Sequence, residues 1–206
     1  MGVNRHKGGM SLSIFGGMVL RPALLTILLS ACSLIVFGQN GLPFMTDIEL
    51  NRQFSDSRIG SIVQDGEESM YFSTSRGLLK YDGSRWNRIS TPSPALTVYY
   101  HEVSSRLFVG LQEGAAEILV SDSGTYMVQE IPGVISTQPI NQILSIDGDL
   151  YFISESQIFI KNSLTTAEAK RAEFDEMLIS GAFVNDKSLY LLFFRDGLFK
   201  WSEDNL

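Results

Sequence analysis

Residues Ile59–Ile89 read IGSIVQDGEESMYFSTSRGLLKYDGSRWNRI. Short apolar runs alternate with turn residues throughout. Gly60–Gln64 reads as a strand, and Asp65-Gly66-Glu67-Glu68 turns the chain into Met70–Thr74. Ser75-Arg76-Gly77 turns it again into Leu78–Tyr81, and Asp82-Gly83 leads into Arg85–Ile89. Apolar residues with a period of two mark half-buried strands. Asp-Gly is a strong hairpin signal because glycine accepts the positive φ of a tight two-residue turn. Ile59–Ile89 is therefore expected to form four antiparallel strands joined by three tight turns.

The unit recurs. Leu107-Phe108-Val109 matches Met70-Tyr71-Phe72, and Gly114 matches Gly77, each seven residues after its first apolar position. Leu150-Tyr151-Phe152 opens the same pattern a third time, with Gln157 where the glycine is expected. Leu189–Phe194, the turn Arg195-Asp196-Gly197 and Leu198–Trp201 make a fourth. The repeated positions Met70, Leu107, Leu150 and Leu189 are 37, 43 and 39 residues apart. A period of about 40 with four strands per unit is the signature of β-propeller blades. The expectation is an all-β, propeller-like fold of about four blades, partial or open, at 59–91, 96–131, 140–176 and 178–206, the last lacking its fourth strand. Leu164–Glu176 has two readings. Thr165 and Glu168 stand at capping-box spacing for a helix. The repeat instead favours a loop and an outer strand over Ala169–Phe174.

The 206-residue chain is 44% hydrophobic and 19% charged, a globular composition. Its net charge of −7 is unevenly spread. Residues 1–38 hold Arg5, Lys7 and Arg21 and no acid, which leaves 13 basic against 23 acidic side chains, or −10, in the rest. Such a body repels phosphate backbones, so no nucleic-acid partner is expected. Ala23–Phe37 is a 15-residue apolar run preceded by Arg21 and followed by Gly38-Gln39-Asn40-Gly41, the layout of a signal peptide, with Met18 as an alternative start. The run is short against the roughly 20 residues of a membrane span. Three fates stay open: cleavage between Gly38 and Gln39, lipidation at Cys32 of Leu29-Ser30-Ala31-Cys32, and an uncleaved anchor. All three export the chain to the periplasm or cell surface, with the membrane touched only through the leader or a lipid. Residues 39–58 read as an extended segment. Cys32 is the only cysteine, so the body offers no disulfide, thiolate or cysteine metal site.

Gly77-Leu78-Leu79-Lys80-Tyr81-Asp82-Gly83-x-x-Trp86, preceded by Ile62-Val63-Gln64-Asp65 and Met70-Tyr71-Phe72, resembles the two-component regulator propeller repeat. Gly41-Leu42-Pro43-Phe44 after a signal peptide is similar to the same group. The match is good over one repeat, fair over Leu107–Gly114 and Leu189–Trp201, and poor in the third unit. The resemblance implies the exported sensor part of a bacterial signalling protein, of Bacteroidetes type. Family members carry seven blades per propeller, then a triple-tyrosine immunoglobulin-like domain, a membrane helix and an output module. On that reading the chain is a fragment of a longer sensor; the other reading is a compact four-bladed propeller. Gly77, Tyr81, Asp82, Gly83, Trp86, Gly114 and Gly197 are then structural signature positions.

The residues themselves offer no catalytic, cofactor or metal motif, and none is expected. The resemblance implies a non-catalytic module for a carbohydrate or other extracellular ligand. A propeller glycoside hydrolase or lyase and a protein–protein interaction module, docking further blades or another chain, are the alternatives. Arg76, Arg106 and Arg195, read as lying near equivalent turns, and Trp201 are the ligand-binding candidates. Trp86 and Trp201 could stack on sugar rings, but packing between blades is the favoured reading, since Trp86 sits at a repeat-signature position. Asp65, Asp82, Asp122, Asp147 and Asp196 all fall in turns, where aspartate bonds its own backbone without any catalytic role. His101 is the only histidine after the leader, and no Gly-x-Ser-x-Gly elbow, His-Glu-x-x-His or phosphate loop is present.

Overall fold

The computed structural model describes residues 58–202, apart from 122, 164 and 166. The expectations for the leader, Cys32, Gly38, Gln39, residues 39–57 and Asp122 lie outside the described residues. Each repeat folds into its own antiparallel sheet. Sheet 1 comprises β1 (Ile59–Gln64), β2 (Met70–Thr74), β3 (Gly77–Tyr81) and β4 (Trp86–Ile89). Sheet 2 comprises β5 (Ala95–His101), β6 (Arg106–Leu111), β7 (Ala115–Val120) and β8 (Tyr126–Glu130). Sheet 3 comprises β9 (Gln142–Ile146), β10 (Asp149–Ile153), β11 (Gln157–Asn162) and β12 (Lys170–Glu173). Sheet 4 has three strands among the described residues: β13 (Ile179–Asn185), β14 (Ser188–Phe193) and β15 (Gly197–Lys200). Neighbours in sequence are neighbours in every sheet, the meander of a propeller blade. Of the two readings of Leu164–Glu176, the strand is the one formed, as β12 pairs with β11 from Ile158↔Ala172 to Ile160↔Lys170.

The sheets stack through their first strands, β1 on β5, β5 on β9 and β9 on β13. No contact of that extent joins sheet 4 back to sheet 1 among the described residues. The middle sheets are buried on both faces, so their inner strands are apolar at consecutive positions, with successive side chains facing opposite neighbours. In sheet 2, Leu107, Val109 and Ile118 face Tyr71 and Leu78 of sheet 1. Phe108 and Ala115 face Ile140, Leu150, Phe152 and Phe159 of sheet 3. Tyr151, Ile158 and Ile160 of sheet 3 then face Leu189, Leu191 and Phe193 of sheet 4. Polar side chains stitch the inner strands. Gln142 donates its amide to the Ala182 carbonyl at 2.6 Å and accepts from the Ala182 N–H at 3.0 Å. Ser61 Oγ accepts from Val98 N–H at 2.8 Å across sheets 1 and 2.

The signature glycines have a backbone reason. Gly77 opens β3 at φ +103°, and a Cβ there would come within 2.5 Å of the Ile89 carbonyl oxygen. Gly114 and Gly197 hold the matching place at φ +73° and +95°. Gln157 has no positive φ, and its turn adds a side-chain bond to the backbone closure it shares with the Gly114 turn. Ser154 N–H donates to the Gln157 carbonyl at 2.9 Å, and Ser154 Oγ accepts from Gln157 N–H at 3.0 Å.

Candidate ligand-binding clefts

Cross-strand pairing decides which side chains meet between sheets. In sheet 2, Phe108 pairs with Glu117, and in sheet 3 Leu150 pairs with Lys161. These pairs face each other across a cleft of about 330 Å³, whose rim includes Arg106, Gln129, Glu130, Ser163 and Thr165. Arg106 lies two residues before Phe108, so its stem shares that face, and its guanidinium sits 5.3 Å from the Phe108 ring centre. Glu117 takes a bidentate pair of hydrogen bonds from Arg106 Nε and Nη2, while Nη1 donates to the Ser163 carbonyl of sheet 3. The pair is unequally buried, with 10% of the Glu117 side chain exposed against 36% for Arg106. Those three bonds leave two of the five guanidinium N–H groups for other partners.

Ser163 is the unusual member. It is 2% exposed, and its Oγ has no hydrogen-bond partner among the described residues. A buried hydroxyl left unpaired costs about 1–3 kcal/mol, so the site tolerates a penalty that a bound polar group could relieve. Lys161 Nζ instead donates to the Thr165 and Ala167 carbonyls, at 3.3 and 2.5 Å, which shapes the loop beside Ser163.

The other candidate residues are placed apart. Arg76 and Arg195 lie exposed in the β2–β3 and β14–β15 turns. Arg106 starts β6, at the end of its sheet opposite the β6–β7 turn, so it is not equivalent to the other two arginines. Arg195 stands 5.7 Å from the Phe194 ring in an open groove with Glu176 and Asp196. Trp201 packs edge-on to Phe174 at 5.6 Å between sheets 3 and 4, its Nε1 buried without a partner among the described residues. Trp86 covers Tyr81 and Phe72, at 4.8 and 5.3 Å, on the face of sheet 1 turned away from sheet 2. Tyr81 shares that face, whereas Tyr71 points into the interface with sheet 2.

Two of the turn aspartates, Asp65 and Asp82, bond the backbone of their own turns. Asp65 Oδ1 accepts from the N–H groups of Glu67 and Ser69, both at 2.9 Å. Asp82 Oδ1 accepts from Arg85 and Ser84 N–H at 2.7 and 2.9 Å, and those backbone bonds hold its pKa below the usual carboxylate range. Asp147 pairs with Lys187 at 2.8 Å on the surface. His101 is buried, with Nδ1 2.6 Å from Ser104 Oγ; burial, then the Arg106 charge, lower its pKa. Among the described residues no cluster of three or more His, Cys, Asp or Glu side chains is placed to hold a metal. No helix among them is long and apolar enough to cross a membrane.

Sequence reasoning passed over Glu117 and Ser163. Glu117 left a trace, a carboxylate inside the buried run Ala115-Ala116-Glu117-Ile118. Ser163 left none, because only the sheet-to-sheet register buries it.

No family model matches the chain, and no curated protein does. Solved structures that share the fold include two crystal structures. Both are the extracellular domain of BT4673 from B. thetaiotaomicron, assigned in one to a one-component and in the other to a hybrid two-component system. The first is 16% identical over 80% of this chain with a TM-score of 0.61. The second is 16% identical over 78% with a TM-score of 0.54. This chain spans 22% of the length of each. The likeness concerns architecture: this chain is an all-β stack of β-propeller blades.

Proposed function

We propose that this chain is an extracytoplasmic, non-catalytic ligand-sensing module of a bacterial two-component-type signalling protein. Its ligand is a neutral oligosaccharide seated in the cleft between sheets 2 and 3. The observation that carries the reading is the buried Ser163 hydroxyl, unpaired among the described residues, beside the Arg106–Glu117 pair. A sugar hydroxyl can donate to Ser163 Oγ and accept from a spare Arg106 N–H, while Phe108 and Leu150 offer an apolar floor. The propeller architecture, the signal-like leader and the repeat resemblance support the wider sensing role.

The test is a thermal-shift screen of neutral oligosaccharides, with Ser163→Ala as the diagnostic variant. Removing an unpaired hydroxyl leaves stability unchanged or raised, yet the variant binds the sugar more weakly. A hit whose affinity is unaffected by Ser163→Ala and Arg106→Gln refutes the assignment. Hydrolysis of the sugar by the purified chain refutes the non-catalytic role and favours the glycosidase alternative.

A second reading has its own observation. Phe183 and Tyr190 stack at 5.3 Å on the face of sheet 4 turned away from sheet 3, beside Leu192 and Leu198 at 44% and 53% exposure. Tyr71, Phe108 and Tyr151, at the place of Tyr190, each face the next sheet. On this reading another sheet docks there. Sedimentation of wild type against Leu192→Asp tests it: self-association lost in the variant supports it, and a monomer in both excludes docking of a second copy.

A further inference from the structure

A second cleft lies one interface back, between sheets 1 and 2, with a volume of about 420 Å³. It is lined by Tyr71 and Lys80 of sheet 1 and by Tyr100, Ser105 and Tyr126 of sheet 2, with Asp65 and Glu67 at its rim. Tyr71 and Lys80 are cross-strand partners, the counterparts of Phe108 and Glu117 in sheet 2. The two clefts therefore repeat one architectural position with opposite charge at its centre.

Lys80 is the decisive group. Lys80 is half-buried as a residue, and its ammonium stands 5.4 Å from the Tyr71 ring centre and 5.6 Å from that of Tyr126. It makes no hydrogen bond or ion pair to any described residue. Asp65 makes no ion pair with it, its oxygens accepting from other donors. The Lys80 charge also reaches Asp82, whose pKa it helps to lower after the backbone bonds from Arg85 and Ser84. Asp65 Oδ1 closes the turn, and Oδ2 accepts the Tyr71 hydroxyl at 3.1 Å. Burial foremost, then the Asp65 charge, pushes the Tyr71 phenol well above its usual range, so it stays a neutral donor. Tyr100 brings its hydroxyl against Gly66, where any Cβ would approach to within 3.1 Å. The result is a cation beside two aromatic rings at the wall of a hexose-sized space.

We propose that this cleft binds a carboxylate-bearing sugar ring, with Lys80 as counter-ion to the carboxylate and the Tyr100 and Ser105 hydroxyls meeting the ring hydroxyls. An ammonium that is partly desolvated gains more from an anion than an exposed lysine does, since the local dielectric is lower. The same cation disfavours amine ligands, which would bring a second positive charge to the tyrosine faces. The inference is independent of the Arg106 cleft, which uses other side chains in another interface.

Titration of the full chain with D-galacturonate, followed calorimetrically with D-galactose as the neutral control, tests it. Galacturonate binds and galactose does not, and added salt weakens the binding. Lys80→Gln weakens it roughly tenfold, the loss of one charge-assisted contact. Lys80→Arg, which keeps a cation over the rings, retains most of it. Ser163→Ala leaves it unchanged. No binding of galacturonate at millimolar concentration overturns the proposal, as does equal affinity for galactose. Affinity insensitive to salt overturns it even where Lys80→Gln fails to fold.

Discussion

The contact that ties sheet 2 to sheet 3 is the strongest test of the stacked architecture. Phe108 and Phe152 are 2% and 0% exposed and meet edge to face with ring centres 6.2 Å apart. Phe152→Ala removes a side chain that buries about 150–250 Å², worth about 4–6 kcal/mol as an upper bound at ~25 cal/mol per Å². Measured core Phe→Ala substitutions cost about 3–5 kcal/mol, which agrees. A loss of about 4 kcal/mol is a large fraction of the roughly 5–15 kcal/mol that holds a typical domain together. Urea unfolding of wild type, both single variants and the double variant separates burial from contact. The edge-to-face pair adds a coupling of about 0.5–1.5 kcal/mol to the cycle. A cost below about 1.5 kcal/mol for Phe152→Ala, with strictly additive singles, refutes the stacking of these two sheets.

Three further outcomes follow from the geometry. Gly110→Ala puts a Cβ 2.6 Å from the Ile140 carbonyl oxygen and from Thr97 Cγ2, so thermal unfolding should show a loss of about 1–3 kcal/mol. Glu117→Gln removes the charge partner of a partly exposed arginine; denaturant titration should show a loss of about 1–2 kcal/mol, less than for a fully buried pair. His101 has a folded pKa below its ordinary 6.5, so the unfolded chain takes up the proton first. Its contribution is present above pH 6.5 and is lost as pH falls towards the folded value, and His101→Asn should flatten that part of a stability–pH curve.

The blades were legible because their determinants are local. Alternation marks the strands, and glycine marks turns that need positive φ, as at Gly77, Gly114 and Gly197. The repeat also placed β12 against a competing helix signal, since an unpaired β11 edge outweighs a capping box at Thr165. The clefts were not legible, because they depend on how sheets face each other. One residue of strand parity separates Tyr71, in the cleft, from Tyr81, on the far side beneath Trp86. Arg106 looked equivalent to Arg76 and Arg195 on nearness to a turn, yet it follows the first connection of its sheet rather than the second. Lys80 lies within the signature Gly77–Gly83, and nothing in the repeat pattern sets it apart. Its rank as an open cation appears only when Tyr126, 46 residues on, closes over it.

Hydrogen exchange of the full chain, with and without the neutral oligosaccharide that gives the largest thermal shift, tests the central claim most directly. Seating in the cleft between sheets 2 and 3 slows exchange in β6 and β7 around Arg106–Glu117 and in the chain from Lys161 to Ser163, and leaves β2 and β14 unchanged. Protection that falls instead on the Arg76 and Arg195 turns, or an absence of protection at saturating sugar, contradicts it.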